Sequence, residues 1–167
     1  MYIDPISSLR GTIELPGDKS ISHRYAILGA MAKGTTRVRN FSDSEDCTST
    51  LECLKGLGIR VKKNKSEIQI QSEGWENFRT PQNTLNAGNS GTTIRLISAL
   101  LSGSPFASTI EGDQSLNRRP MKRITIPLTR MGSTFREGDY PPLHIEGTRL
   151  TGINYPIPIA SAQVKSC

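Results

Sequence analysis

Aromatic residues are scarce: one Trp, four Tyr and four Phe make up 5% of the 167-residue chain. That is too few for the stacking platforms that hold single-stranded nucleic acids. Long apolar runs are missing too. None approaches the roughly 20 residues of a membrane-spanning helix, and Met1-Tyr2-Ile3-Asp4-Pro5 lacks the basic-then-apolar layout of a secretory leader. The expectation is a cytoplasmic chain without a membrane partner. Histidine occurs only at 23 and 144, and no C-x-x-C or H-x-x-x-H spacing is present, so no metal site is expected. Cys47, Cys53 and Cys167 are odd in number. The first two fall six apart on an expected helix with their side chains diverging, so all three read as reduced thiols.

The net charge is +6, yet the basic residues are spread out and only Lys62-Lys63-Asn64-Lys65 forms a cluster. It lies between the alternating runs Ile59-Arg60-Val61 and Ile68-Gln69-Ile70 and reads as a solvated hairpin tip. Nucleic acid is therefore not expected as a partner, whereas a basic balance also suits small phosphorylated ligands. The length fits one ordinary domain or part of a larger one.

Leu15 to Met31, LPGDKSISHRYAILGAM, places Lys19, His23 and Arg24 at and just after a helix start. Free N–H groups and the dipole attract anions there, while cations near that end are unfavourable for the helix itself. The arrangement predicts an anionic ligand. Around it, residues 2–15 read as extended and 20–32 as a helix closed by Gly34. A strand is expected at Thr36–Arg39, and a helix from the Ser42–Asp46 caps to Gly58, with strands at 59–63 and 67–72. Glu73 to Gln82 reads as an irregular connection. A helix opened by Asn86–Thr92 then runs to Ser102-Gly103. A strand at 108–110, a helix at 119–131 beginning near Pro120, and a pair of strands ending at Ile145 follow.

The halves match at an offset of about 71 to 74 residues: Arg24 falls on Arg95, Lys19 on Ser90, and Leu54-x-x-Leu57-Gly58 on Leu128-x-x-Met131-Gly132. The fold class expected is α/β (α+β), built of βαβαββ units, two complete and a third just begun. A further shift places Ser161-Ala162-Gln163 on Ser90-Gly91-Thr92, where the chain stops before a third helix can form. Three helix starts at one end of a layered unit favour convergence on an anion over three ordinary caps. No P-loop or dinucleotide fingerprint fits: Asp18 separates Gly17 from Lys19, and Gly88-Asn89-Ser90-Gly91 has the wrong spacing. Gly88 and Gly91 admit a ligand close to the backbone. Arg119 offers a donor fork for carboxylate or phosphate, whereas Arg118 reads as solvated.

Four blocks in this order, LPGDKSISHR, NAGNSGTTIRL, GD-x-SL-x-x-RPM and ASAQVKS, resemble the 5-enolpyruvylshikimate-3-phosphate synthases from about residue 12 to the last. The resemblance implies the enolpyruvyl transferase fold, two similar domains of three βαβαββ units each that close over the substrates. Residues 14–167 would be the N-terminal substrate-binding domain, broken off within its third unit. Residues 1–13 would be a strand segment belonging with a second, C-terminal domain. The implied reaction adds the 5-hydroxyl of shikimate-3-phosphate to the enolpyruvyl carbon of phosphoenolpyruvate and expels phosphate through a tetrahedral intermediate, with no metal or organic cofactor.

Carried over by motif, Lys19 would be the catalytic residue and touch both substrates, and Ser20 and Arg24 would bind shikimate-3-phosphate. Gly91 and Arg119 would hold phosphoenolpyruvate. Ser161, Ala162 and Gln163 would complete the shikimate-3-phosphate site, Gln163 also facing phosphoenolpyruvate, and Asn89, Thr92 and Arg95 would support these. Ala162 stands where many members carry a second Ser, which removes a side-chain donor. The family's acid–base carboxylates fall beyond Cys167, so the chain alone is expected to be inactive. A nucleotide-sugar enolpyruvyl transferase is the runner-up, opposed by the DKSISHR and RPM blocks; a non-catalytic anion-binding remnant is the reading from outside the enzymes.

Overall fold

Asp18 starts the first helix. Its carboxylate accepts a hydrogen bond from the Ile21 N–H at 2.7 Å, meeting one of the donors left free at the start of α1 (Lys19–Met31). The computed structural model describes residue 5, residues 7–158 and residues 160–167. After α1 come β1 (Lys33–Val38) and α2 (Glu45–Gly56), the latter capped by Ser44 with Glu45 and Asp46 in its first turn, where the dipole favours acids. β2 (Arg60–Asn64) and β3 (Glu67–Glu73) form a hairpin whose basic tip is exposed, as the sequence predicts. The three strands lie in the order β1-β3-β2, all antiparallel.

The second half consists of β4 (Leu85–Asn86), α3 (Gly91–Ser102), β5 (Ala107–Glu111), α4 (Lys122–Arg130), β6 (Thr134–Arg136) and β7 (Leu143–Glu146). Its sheet order is β4-β5-β7-β6, so β5-β7-β6 repeats the arrangement of β1-β3-β2, and β4 adds a parallel edge. A single turn, α5 (Ala162–Ser166), follows a long connection and packs on α3. Leu54, Leu57, Ile68 and Ile70 of the first half and Ile94, Ile97, Leu101, Ile110 and Ile124 of the second are buried in one continuous apolar core. Helices and sheets thus give the expected mixed α/β class.

Several boundaries differ from the sequence-based expectation. Residues 2–4 and 6 lie outside the described residues. Residues 7–15 form no strand, leaving Leu9, Ile13 and Leu15 at 88, 79 and 71% exposure. A strand exists only with a ladder partner, and among the described residues β1 pairs with β3 alone, with no neighbour equivalent to β4. Helix α1 ends at Met31, and Gly34, at φ +117°, sits inside β1 opposite Ser72. Pro120 does not open a helix: Leu116–Arg118 make a single 3₁₀ turn capped by Arg119, and α4 begins at Lys122. The third helix does begin, because Ser161 accepts from the Val164 N–H at 3.4 Å and closes its first turn.

Candidate functional site

The starts of α1, α2, α3 and α5 are joined by side-chain hydrogen bonds. At α1, Lys19 Nζ lies 2.7 Å from Asp46 Oδ2 in the first turn of α2. That bond and the carboxylate charge raise the Lys19 pKa above its ordinary value. The cation, unfavourable at the start of its own helix, is therefore matched by α2. Arg24 donates through NH1 to the Ser20 carbonyl at 3.0 Å, and through Nε and NH2 to Ser166 Oγ at 3.2 and 2.8 Å. Arg24 thus reaches α5 while holding the Ser20 carbonyl of its own helix.

At α3, Ser90 is the cap, accepting from the Thr93 N–H at 3.1 Å. Gly88 adopts φ +57°, and a Cβ there would lie 2.9 Å from Ser49 Oγ, so the turn before the helix requires glycine. A Cβ on Gly91 would lie 2.8 Å from Arg95 NH1 and 3.5 Å from Arg119 NH1, so two guanidinium groups converge on this one Cα. Arg95 NH1 donates to the Gly91 carbonyl at 3.0 Å and to Gln163 Oε1 at 2.9 Å. Gln163 Nε2 in turn donates to Thr92 Oγ1 at 3.0 Å. Arg119 NH2 donates to Asn89 Oδ1 at 3.0 Å, and Asn89 Nδ2 to Asp113 Oδ2 at 2.7 Å.

Among the described residues no carboxylate pairs with Arg95 or Arg119 within 4.0 Å. Burial lowers the Arg95 pKa, and the nearby Arg123 and Arg119 charges lower it further. Like charges held together in a half-buried place favour an anion between them.

The site residues expected from sequence therefore fall into linked groups. Gly91, Thr92, Arg95, Asn89, Arg119 and Gln163 form one, while Arg24 joins the Ser20 carbonyl to Ser166 of α5. Ser161 caps α5, and Ala162 supplies the carbonyl that Ser166 Oγ donates to at 2.7 Å. Lys19 reaches the α3 group through α2: Thr93 Oγ1 lies 3.1 Å from the Asp46 carbonyl. The sequence reading assigned no role in this site to Asp46, Asp113 or Ser166. Asp113 stood in the GD-x-SL block and Ser166 one helical turn past Ala162, whereas Asp46 looked like an ordinary first-turn acid. Asn89 holds the Asp113 carboxyl below its ordinary range.

The family model of EPSP synthase (3-phosphoshikimate 1-carboxyvinyltransferase) matches residues 3–167. The chain belongs to the EPSP synthase family. Two similar relatives are 3-phosphoshikimate 1-carboxyvinyltransferases. That of Desulfitobacterium hafniense (strain DSM 10664 / DCB-2) is 50% identical over 98% of this chain, and that of Solibacter usitatus (strain Ellin6076) is 47% identical over 99%. A solved EPSP synthase from Acinetobacter baumannii superposes with a TM-score of 0.89 at 43% identity, covering 93% of this chain and 36% of that one. The chain spans 38 to 39% of the length of the two curated relatives.

Proposed function

We propose that this chain forms the N-terminal substrate-binding part of an enzyme that transfers the enolpyruvyl group of phosphoenolpyruvate to the 5-hydroxyl of shikimate-3-phosphate. The convergence of Arg95 and Arg119 on Gly91 supports the reading most directly, because an anion approaching the Gly91 backbone meets two guanidinium groups unmatched by a carboxylate among the described residues. Shikimate-3-phosphate would lie against Ser20, Arg24 and α5, and phosphoenolpyruvate against Gly91 and Arg119. Lys19, between the two, would serve both and act in the chemistry. Positioning and fixed positive charge would supply most of the acceleration this half contributes.

The reading extends to organisation. Residues 14–167 would be one domain of two complete βαβαββ units and part of a third. Residues 1–13 would pack with a C-terminal domain, a reading supported by the exposure of Leu9 and Ile13. The free thiols of Cys47, Cys53 and Cys167 support a cytoplasmic location, and no helix among the described residues is long and apolar enough to cross a membrane.

Calorimetric titration tests binding. Shikimate-3-phosphate should give saturable heat with the 167-residue chain, and Lys19→Ala should remove it. No heat from the unmodified chain with either substrate would overturn the reading. Phosphate release from both substrates together should stay at background; turnover by this chain alone would refute its assignment as half a site.

A further inference from the structure

Four fully buried polar side chains lie behind the anion site and connect its corners. His23 of α1, Thr50 of α2, and Ser90 and Thr93 at the start of α3 each have 0% exposure. His23 Nδ1 is 2.7 Å from Thr50 Oγ1, which is 2.7 Å from Thr93 Oγ1. Thr93 Oγ1 lies 2.8 Å from Ser90 Oγ and 3.1 Å from the Asp46 carbonyl.

Proton counting orders the chain. Thr93 Oγ1 faces Ser90 Oγ and the Asp46 carbonyl as donor, so its single hydroxyl proton is shared between these two acceptors. Thr93 Oγ1 then accepts from the Thr50 hydroxyl, and Thr50 Oγ1 accepts from His23 Nδ1–H. The other tautomer of His23 would bury an N–H at Nε2, which has no hydrogen-bond partner among the described residues. A buried donor left unmade costs more than an idle lone pair. One directed chain thus runs from α1 to the residue whose carboxylate grips Lys19, with a branch to the cap that orients the first turn of α3.

We infer that His23, Thr50, Thr93 and Ser90 are positioning residues, which set the Gly91 end of α3 and the Asp46–Lys19 pair in register so that the two corners address one pair of anions. They touch no substrate in this scheme, and their role rests on the anion-binding reading above. Ordinary apolar packing would hold the helices together equally well, but it lacks the directionality to fix which way the Ser90 and Asp46 groups point. A directed hydrogen-bond chain supplies it.

The test uses Thr50→Val, which keeps the shape and loses the hydroxyl, and Thr50→Ser, which keeps the hydroxyl. Thr50→Val should shift the backbone amide resonances of Gly91 and Thr92 and weaken binding of both shikimate-3-phosphate and inorganic phosphate about tenfold, the loss of one such hydrogen bond. Thr50→Ser should restore both. Unchanged resonances and affinities in Thr50→Val would overturn the inference, whatever happens to its melting temperature. In the unmodified chain, nitrogen NMR should find His23 protonated at Nδ1, and an Nε2–H tautomer would refute the direction of the chain even if Thr50→Val did not fold. If the unmodified chain binds neither anion, the functional reading fails, while the amide resonances and the tautomer still decide the network.

Discussion

At the start of α1 the cation is already matched, Lys19 Nζ sitting 2.7 Å from the Asp46 carboxylate, whereas at the start of α3 Arg95 and Arg119 face Gly91 with no carboxylate partner among the described residues. The two halves share a strand order and a helix arrangement but not a charge arrangement. An anion approaching α3 would meet two guanidinium groups with no carboxylate within 4.0 Å among the described residues. One entering at α1 would share Lys19 with Asp46, so under the proposed function the first corner would place a ligand and the second attract it. Equivalent backbones have been given unequal tasks through a few side chains.

The packing side of this comparison can be broken most forcefully in the core. Leu54 and Leu128 occupy matching places in the two halves, at 0 and 2% exposure. Replacing either with Ala should cost about 2–5 kcal/mol, read from urea unfolding, and the two losses should be alike. A large inequality would show that the halves are not mechanically equivalent.

The next effect is a pH dependence carried by His23 in the first half. Burial lowers the His23 pKa to about 4 against an ordinary 6.5, with the Lys19 and Arg24 charges adding to the fall and Asp46 opposing it. The unfolded chain therefore binds the proton first. Stability from this group is complete above pH 6.5 and declines as the pH falls toward 4, by about 3 kcal/mol in all. Unfolding midpoints across that range should slope in the native chain, and His23→Asn should remove most of the slope.

Gly91→Ala tests the attracting corner. The added Cβ would press on the Arg95 and Arg119 guanidinium ends, which are flexible, so the fold should survive while phosphoenolpyruvate binding weakens about tenfold, or ~1.4 kcal/mol. Titration of the variant against unmodified protein checks it, and equal affinities would remove Gly91 from the site. The smallest effect belongs to the matched corner. Asp46→Asn should change stability by under about 1 kcal/mol, because Lys19 is half exposed. It should lower the Lys19 pKa, which NMR titration of the side chain can follow.

Much of this was legible in the residues. The alternation around Lys62 to Lys65 predicted the β2–β3 hairpin, and the shift of about 71 residues aligned helix starts that do lie together. What escaped was whatever depends on a distant partner. Thr12 to Leu15 alternates like a strand, yet none forms there without a neighbouring ladder. Pro120 looked like a helix start, but the 3₁₀ turn at Leu116–Arg118 takes up the preceding residues and delays α4 to Lys122. Asp46 read as a cap-side acid because its partnership with Lys19 spans two helices. Thr50 and Thr93 read as nothing in particular, since a buried hydroxyl declares itself only through the atom it faces.

Arg119 is tethered before any ligand arrives, through Asn89 to the Asp113 turn. A long side chain normally surrenders about 2 kcal/mol of rotamer freedom when it grips an anion. Here much of that ordering is completed during folding. Capture at this corner should then be governed by diffusion and ionic strength rather than by rearrangement, so the association rate should fall steeply with added salt while the dissociation rate barely moves.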